Sequence, residues 1–181
     1  MDQPQGRKDA GVFIGRASLR ADGTAELYNG RMDSPFDLAV AARQPLFDDA
    51  HDTAFRLFNG FTEGDPHLSL DIYARTLVIH NYAEKKTKNQ TYIEDISNYL
   101  QTSLIWLRAG ILKQRNGITQ DDKRGVLLFG DSPDAKINEH GVWYALDLTM
   151  NRDASFYLDT SLLRKWLIEN MRGKSVLNTF A

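Results

Sequence analysis

The sequence predicts an α+β fold, a mostly antiparallel sheet with one long helix, that leads into the start of an α/β unit. Three patterns carry this reading. Apolar residues alternate along Leu68, Leu70 and Ile72 and again along Leu77 and Ile79, as strands with one face in a core require. Ile93, Ile96, Leu100, Leu104, Leu107 and Ile111 recur at three- and four-residue spacing, the period of one helix face. After residue 150 a helix pattern is followed by a short apolar strand, the order in which an α/β domain begins.

Taken in order, Val12–Arg20 and Thr24–Asn29 flank Asp22-Gly23. An Asp-Gly pair between strands is a hairpin signal, because the tight turn needs positive φ. Ser34-Pro35-Phe36-Asp37 is a helix start: Ser34 caps, Pro35 suits the first helical position, and Asp37 lies near the positive end of the dipole. Leu38, Ala41 and Ala42 are expected on its apolar face, and Pro45 ends it. Phe55–Phe61 reads as a strand, residues 62–66 as a turn, and Leu68–Ile72 with Leu77–Tyr82 as a meander joined at Ala74-Arg75. The long helix is expected to start at a capping box of Thr91 and Glu94 and to end at Asn116-Gly117. Val126–Phe129 and Val142–Leu148 read as strands, with residues 138–141 as the turn between them. Asp159 or Thr160 caps a helix over Leu162–Met171, which Gly173 terminates, and Ser175–Phe180 is the closing strand. These signals divide the chain into a tail and hairpin (1–33), an α+β domain (34–150) and the start of a further domain (151–181).

Composition narrows the chemistry. The 181 residues are 42% hydrophobic, enough for a sizeable core, and the net charge is -2, which provides no global field for nucleic acid. There are no cysteines, hence no disulfide framework, thiolate metal site or cysteine nucleophile in this chain. That composition and the polar start MDQPQGRKDA point to the cytoplasm. His51, His67, His80 and His140 have no metal-ligand spacing. Gly173-Lys174-Ser175 lacks the first glycine of a P-loop, since Ile168 stands there. The local basic groups are Lys85, Lys86 and Lys88, then Arg108, Lys113 and Arg115, with Lys123 and Arg124. They are the first candidates for phosphate contact if RNA binds.

Ser155-Phe156-Tyr157-Leu158-Asp159 with Arg164, and Val176-Leu177-Asn178-Thr179-Phe180-Ala181, resemble the entry into the catalytic domain of class I S-adenosylmethionine-dependent methyltransferases. The set is most similar to the 23S rRNA large-subunit cytosine-C5 methyltransferase family. Arg56-Leu57 through Asp71-Ile72-Tyr73 is similar to the opening of that family's central α+β domain, so the resemblance covers residues 36–181. It departs at Thr160-Ser161, where the family has Gln-Arg, and residues 1–33 do not match the family's RNA-binding PUA domain.

The resemblance implies that residues 151–181 are the start of a Rossmann-like methyltransferase domain ending at its first strand, before the glycine loop. It implies S-adenosyl-L-methionine as cofactor and RNA, rRNA in particular, as substrate. Phe156, Tyr157, Asp159, Arg164, Asn178, Phe180 and Ala181 become the expected cofactor-side residues, with Arg164 a candidate partner for the methionine carboxylate. The cytosine-C5 class adds a cysteine to the base, and that step would belong to a part of the protein outside these residues. As an N-terminal fragment the chain is expected to be inactive; as a complete chain it would be a noncatalytic RNA- or protein-binding module.

Overall fold

The meander predicted at Leu68–Tyr82 lies at the centre of a sheet that collects chain from both sides of it. The computed structural model describes residues 16–19, 25–28, 34–84, 86–151 and 154–177. In chain order it contains β1 (Arg16–Leu19), β2 (Ala25–Tyr28), α1 (Pro35–Arg43), β3 (Ala54–Asn59), α2 (Gly60–Glu63), β4 (Leu68–Tyr73), β5 (Thr76–Asn81), α3 (Lys86–Ser103), β6 (Ala109–Gln114), α4 (Gln120–Arg124), β7 (Val126–Phe129), β8 (Lys136–Glu139), β9 (Val142–Ala145) and α5 (Ser161–Asn170). The five-stranded sheet has the order β3-β4-β5-β6-β7. All its pairings are antiparallel except β5–β6, which is parallel and bridged by α3. The pairs β1–β2 and β8–β9 are separate antiparallel hairpins. The Asp22-Gly23 turn lies outside the described residues.

One face of the sheet is a dry core. Leu68, Leu70, Ile72, Leu77 and Ile79 pack with Ile93, Ile96 and Leu100 of α3 and Ala39 of α1. A bulge in β3 between Arg56 and Phe58 turns both Leu57 and Phe58 into this core. Alternation alone would send one of them to the opposite face. Two tyrosines of α3 fasten the helix at its edges: Tyr92 donates to Asp65 at 2.8 Å, and Tyr99 donates to Asp37. Burial first, then the adjacent carboxylate, pushes both phenols above their ordinary value. Asp37 also completes the capping box with Ser34, so one side chain caps the start of α1 and docks α3.

Several predicted elements change here. The face of α1 is Phe36, Ala39 and Val40; Leu38, Ala41 and Ala42 are exposed. Pro45 does stop the helix, which tightens into a 3-10 turn over Gln44–Leu46. Residues 60–63 form α2 within the stretch read as strand and turn, and Gly64 ends it at φ 99°. A Cβ on Gly60 would lie 1.7 Å from the Asp65 carbonyl oxygen, so only glycine permits that close return.

The long helix is shorter and earlier than predicted. It starts at Lys86, which places Thr91 and Glu94 inside it, and it ends at Ser103. Leu107 and Ile111 are not on it, and Ile111 belongs to β6. Residues 109–114 form an inner strand of the sheet with Ala109, Gly110, Ile111 and Lys113 buried, and a short, mostly buried strand has apolar positions that helix spacing can mimic. Asn116-Gly117 follows β6 instead of ending the helix. A second true capping box, Thr119 with Asp122, starts α4. Val126–Phe129 pairs with β6, and the second hairpin is β8–β9 around His140-Gly141. The closing helix α5 forms, with Thr160 in the cap position but no side-chain cap bond. Residues 175–177 are exposed and form no strand, and residues 178–181 lie outside the described residues.

Leu70 has 0% exposure at the middle of the dry face. Leu70→Ala is expected to lower the unfolding free energy by about 2–5 kcal/mol. Ile105→Ala, at an 88% exposed position, should change it by less than about 0.5 kcal/mol. Urea unfolding of the two variants measures the contrast.

Candidate functional site

The second face of the sheet is divided along its strands. Its apolar half, Tyr73, Val78 and Ile111, is covered by Ile137, Leu148 and Ala154, with Phe156 and Leu158 at the margin. Its polar half carries Arg56, Ser69, Asp71, His80 and Lys113 on neighbouring strands. Period-two alternation puts them all opposite the dry core. A cleft of about 480 Å³ opens where the polar half meets the segment 154–161. Arg56, Asp71, His80 and Tyr82 line its sheet side, and Tyr157 and Asp159 its other wall.

Asp71 is the floor of this cleft. Arg56 Nε donates to its Oδ1 at 2.8 Å, Arg56 Nη2 to its Oδ2 at 3.2 Å, and His80 Nε2 lies 3.2 Å from the same Oδ2. Burial alone would raise the Asp71 carboxyl, but the hydrogen bonds and charges of His80 and Arg56 outweigh it and hold the group below the ordinary carboxylate range. The hydrogen bond to Asp71 raises Arg56 in turn, against the opposing effect of its burial. A carboxylate only accepts, so His80 Nε2 must carry the proton. That leaves Nδ1 facing away from Asp71, buried, and without a hydrogen-bond partner. The Ser69 hydroxyl, opposite His80 in the β4–β5 register, is likewise buried and unpartnered. Arg115 lies over the Tyr82 ring at 5.8 Å.

The opposite wall is fixed by Arg164. Its guanidinium forms a two-point ion pair with Glu139, donates to the Tyr157 carbonyl at 2.8 Å and to Thr160 Oγ1 at 2.6 Å, and sits 4.1 Å above the Phe156 ring. Burial would raise Glu139, yet the Arg164 hydrogen bonds hold it below its ordinary value. Phe156 packs edge-on to Tyr144 at 5.2 Å, and its carbonyl accepts from the Tyr73 hydroxyl at 3.2 Å. Arg164 and Phe156 are thus parts of the wall, whereas Tyr157 and Asp159 are exposed on it. Thr160 and Ser161 are also engaged, Ser161 with His140 Nε2 at 3.1 Å. Asn178, Phe180 and Ala181 lie outside the described residues.

The basic candidates separate in the same way. Lys113 is fully buried, donating to the Asn151 carbonyl at 3.0 Å, so it cannot serve as a surface phosphate contact. Arg108 pairs with Asp134 at 2.6 Å. Arg115 lines the cleft. Among the described residues no group of three or more His, Asp or Glu side chains could hold a metal ion. The Arg56–Asp71–His80 cluster had one sequence signal, an acid among the apolar Leu70 and Ile72 of the strand LSLDIY.

No family model matches the chain. It is 31% identical over 148 residues to the Bacillus subtilis protein YwbD, named as a candidate ribosomal RNA large subunit methyltransferase, covering 79% of this chain and 36% of that protein. It is 29% identical over 151 residues to ribosomal RNA large subunit methyltransferase I of Shewanella denitrificans, covering 78% and 36%. Among solved structures, a candidate SAM-dependent methyltransferase from Streptococcus mutans matches with a TM-score of 0.63 at 20% identity, over 89% of this chain and 44% of that one. The candidate methyltransferase SMU.776, complexed with SAH, matches with a TM-score of 0.62 at 20% identity, over 89% and 43%. The resemblance read from the motifs therefore holds: the chain is a relative of ribosomal RNA large-subunit methyltransferases and shares a fold with SAM-dependent methyltransferases. It spans 36% of the length of the curated relatives cited here.

The Asp71 cluster sets an acid limb for stability. With the folded carboxyl below its unfolded value, its stabilisation is full above an unfolded value of about 3.9 and fades as pH falls through the folded one. The wild type should therefore lose unfolding free energy below about pH 4. Asp71→Asn should be less stable at pH 7 and should show a shallower loss over the same range, as measured by denaturant unfolding at stepped pH.

Proposed function

We propose that this chain is the substrate-side part, and the entry to the catalytic domain, of an S-adenosylmethionine-dependent methyltransferase that modifies large-subunit ribosomal RNA in the cytoplasm. The observation that carries the proposal is the sequence match to rRNA large-subunit methyltransferases over more than three quarters of the chain. The cleft agrees with it in place and chemistry. It lies where the sheet of residues 34–150 meets the segment opening residues 151–181, and a binding site between two units is the usual position for a substrate.

The residues present fit a cofactor on the 154–161 side in one respect. Tyr157 offers an open aromatic ring, and Asp159 an open carboxylate that can accept from hydroxyl or ammonium groups. Phe156 and Arg164 act through position, since Glu139 already occupies the Arg164 guanidinium. Asn178, Phe180 and Ala181 remain cofactor-binding candidates on the sequence motif alone. S-adenosylmethionine, when bound, supplies a methyl group activated on a sulfonium. The chain contributes alignment: a wall locked by Arg164 and a sheet locked by Asp71 hold the two sides of the cleft at fixed separation.

No helix among the described residues is long and apolar enough to cross a membrane, and the RNA partner assigned here requires none. Deleting the gene and mapping the methylated nucleotides of 23S rRNA by mass spectrometry tests the proposal. One methyl mark should vanish in the deletion strain and return with the wild-type gene. An unchanged methylation profile would contradict it.

A further inference from the structure

We infer that Lys113 is a positioning residue for the segment 154–161, setting from the sheet side where that segment stands. Its bearing on a cofactor rests on the proposed function; the mechanical part stands on geometry alone. Lys113 lies on β6, an inner strand, with 0% exposure. It belongs to a buried polar row across three strands, Ser69, His80 and Lys113, set by the register of β4, β5 and β6. An ammonium is costly to bury at such a place, and an apolar side chain of the same length would fill the space without that cost. What the ammonium adds is a fixed acceptor, because a charged donor holds its partner more firmly than a neutral one. Its stem is confined as well. A Cβ on Gly125, at φ 94°, would lie 3.1 Å from Lys113 Cγ and 2.5 Å from Ile111 Cγ2, so the end of α4 closes over the stem only because that residue is glycine.

Lys113 Nζ donates to the Asn151 carbonyl at 3.0 Å. Asn151 lies in a loop whose ends meet, since Asp147 N donates to Ser155 Oγ at 2.7 Å. The Asp147 carboxylate is engaged first by Thr149, through its N at 2.9 Å and its Oγ1 at 2.8 Å, and also feels the Lys113 charge. Leu148 and Ala154 seat the two limbs of the loop on the apolar half of the sheet. Asn151 and Ser155 have φ of 46° and 52°, the left-handed region that is unfavourable for a residue with a Cβ. Such conformations persist only where the surroundings fix them, and Lys113 does so at Asn151. Ser155 leads into Phe156, whose carbonyl accepts from the Tyr73 hydroxyl, and then into Tyr157 and Asp159, both exposed on the wall. Arg164 holds this wall at the Tyr157 carbonyl, beside the hairpin. Lys113 holds its root.

The test compares Lys113→Met, which keeps the stem and removes the donors, with Leu70→Ala, which weakens the opposite core. In Lys113→Met, amide hydrogen exchange of the 181-residue chain should quicken about tenfold or more at residues 154–161, the worth of one hydrogen bond to a charged group, with α3 unchanged. Leu70→Ala should quicken exchange through α3 and the sheet with no preference for 154–161. In steady-state methyl transfer by the enzyme that the gene encodes, Lys113→Met should raise KM for S-adenosylmethionine about fivefold or more and keep kcat within about twofold, as a loss of binding alone does. A merely structural role would lower kcat through the folded fraction and leave KM unchanged. In the wild type, NMR should find slowly exchanging Lys113 ammonium protons coupled to the Asn151 carbonyl carbon, a readout that stands even where the variant does not fold. Rapid ammonium exchange without that coupling, quickening spread evenly over the chain, or a lowered kcat at constant KM would each overturn the inference. A wild-type enzyme without methyl transfer would remove the proposed function, and the exchange pattern and ammonium signal would then decide by themselves whether Lys113 sets the wall.

Discussion

A carboxylate buried at the centre of a sheet must be answered from its neighbours, and Asp71 is answered from both sides. Arg56 reaches it from β3 and His80 from β5. Removing either partner would leave a charge with too little compensation in a region of low polarity. The three strands therefore have one permitted register at this point. A slip of one residue would place Leu70 beneath the cleft and Asp71 among the side chains of α3. The bulge next to Arg56 belongs to the same arrangement. It allows Leu57 and Phe58 both to join the dry core while Arg56 keeps its place beside Asp71.

From that register follows the division of the second face. Its apolar half accepts Ala154, Phe156 and the β8–β9 hairpin, and its polar half stays open as a cleft. Arg164 joins these parts by pairing with Glu139 of the hairpin while holding the Tyr157 carbonyl and covering Phe156. It is a structural cation by its contacts, although its sequence position suggested a carboxylate partner on a ligand. The wall it fixes leaves the Tyr157 and Asp159 side chains outward, so Arg164 helps to decide which groups the cleft can offer. Lys113 acts comparably on the sheet side, where its ammonium anchors the turn at Asn151.

Much of the fold was legible because local signals agreed with the tertiary outcome. The Ser34 capping box, the stop at Pro45, the meander through Ala74-Arg75 and the helix before Gly173 each follow from chemistry within a few residues. Failures came where burial erased periodicity. Residues 109–114 sit inside the sheet, so Ile111 fitted a helix stripe by number while belonging to a strand. The β8 strand, KINE, has only Ile137 as an apolar residue and was hidden for the opposite reason. In the cleft, Phe156, Tyr157 and Asp159 were found through their motif. The roles of His80 and Arg56 were not, because only the pairing of β4 with β3 and β5 brings them beside Asp71. A histidine without ligand spacing carries no local sign that a carboxylate will face it from the next strand.

The central claim is that the Asp71 face, and not the helix-covered face, meets RNA. Photo-crosslinking of the 181-residue chain to short oligoribonucleotides carrying 4-thiouridine, followed by peptide mapping, tests it most directly. Crosslinks confined to the peptides containing Tyr82 and Tyr157 are the predicted result. Crosslinks concentrated on α1 or α3, or spread without preference over the surface, would contradict the account.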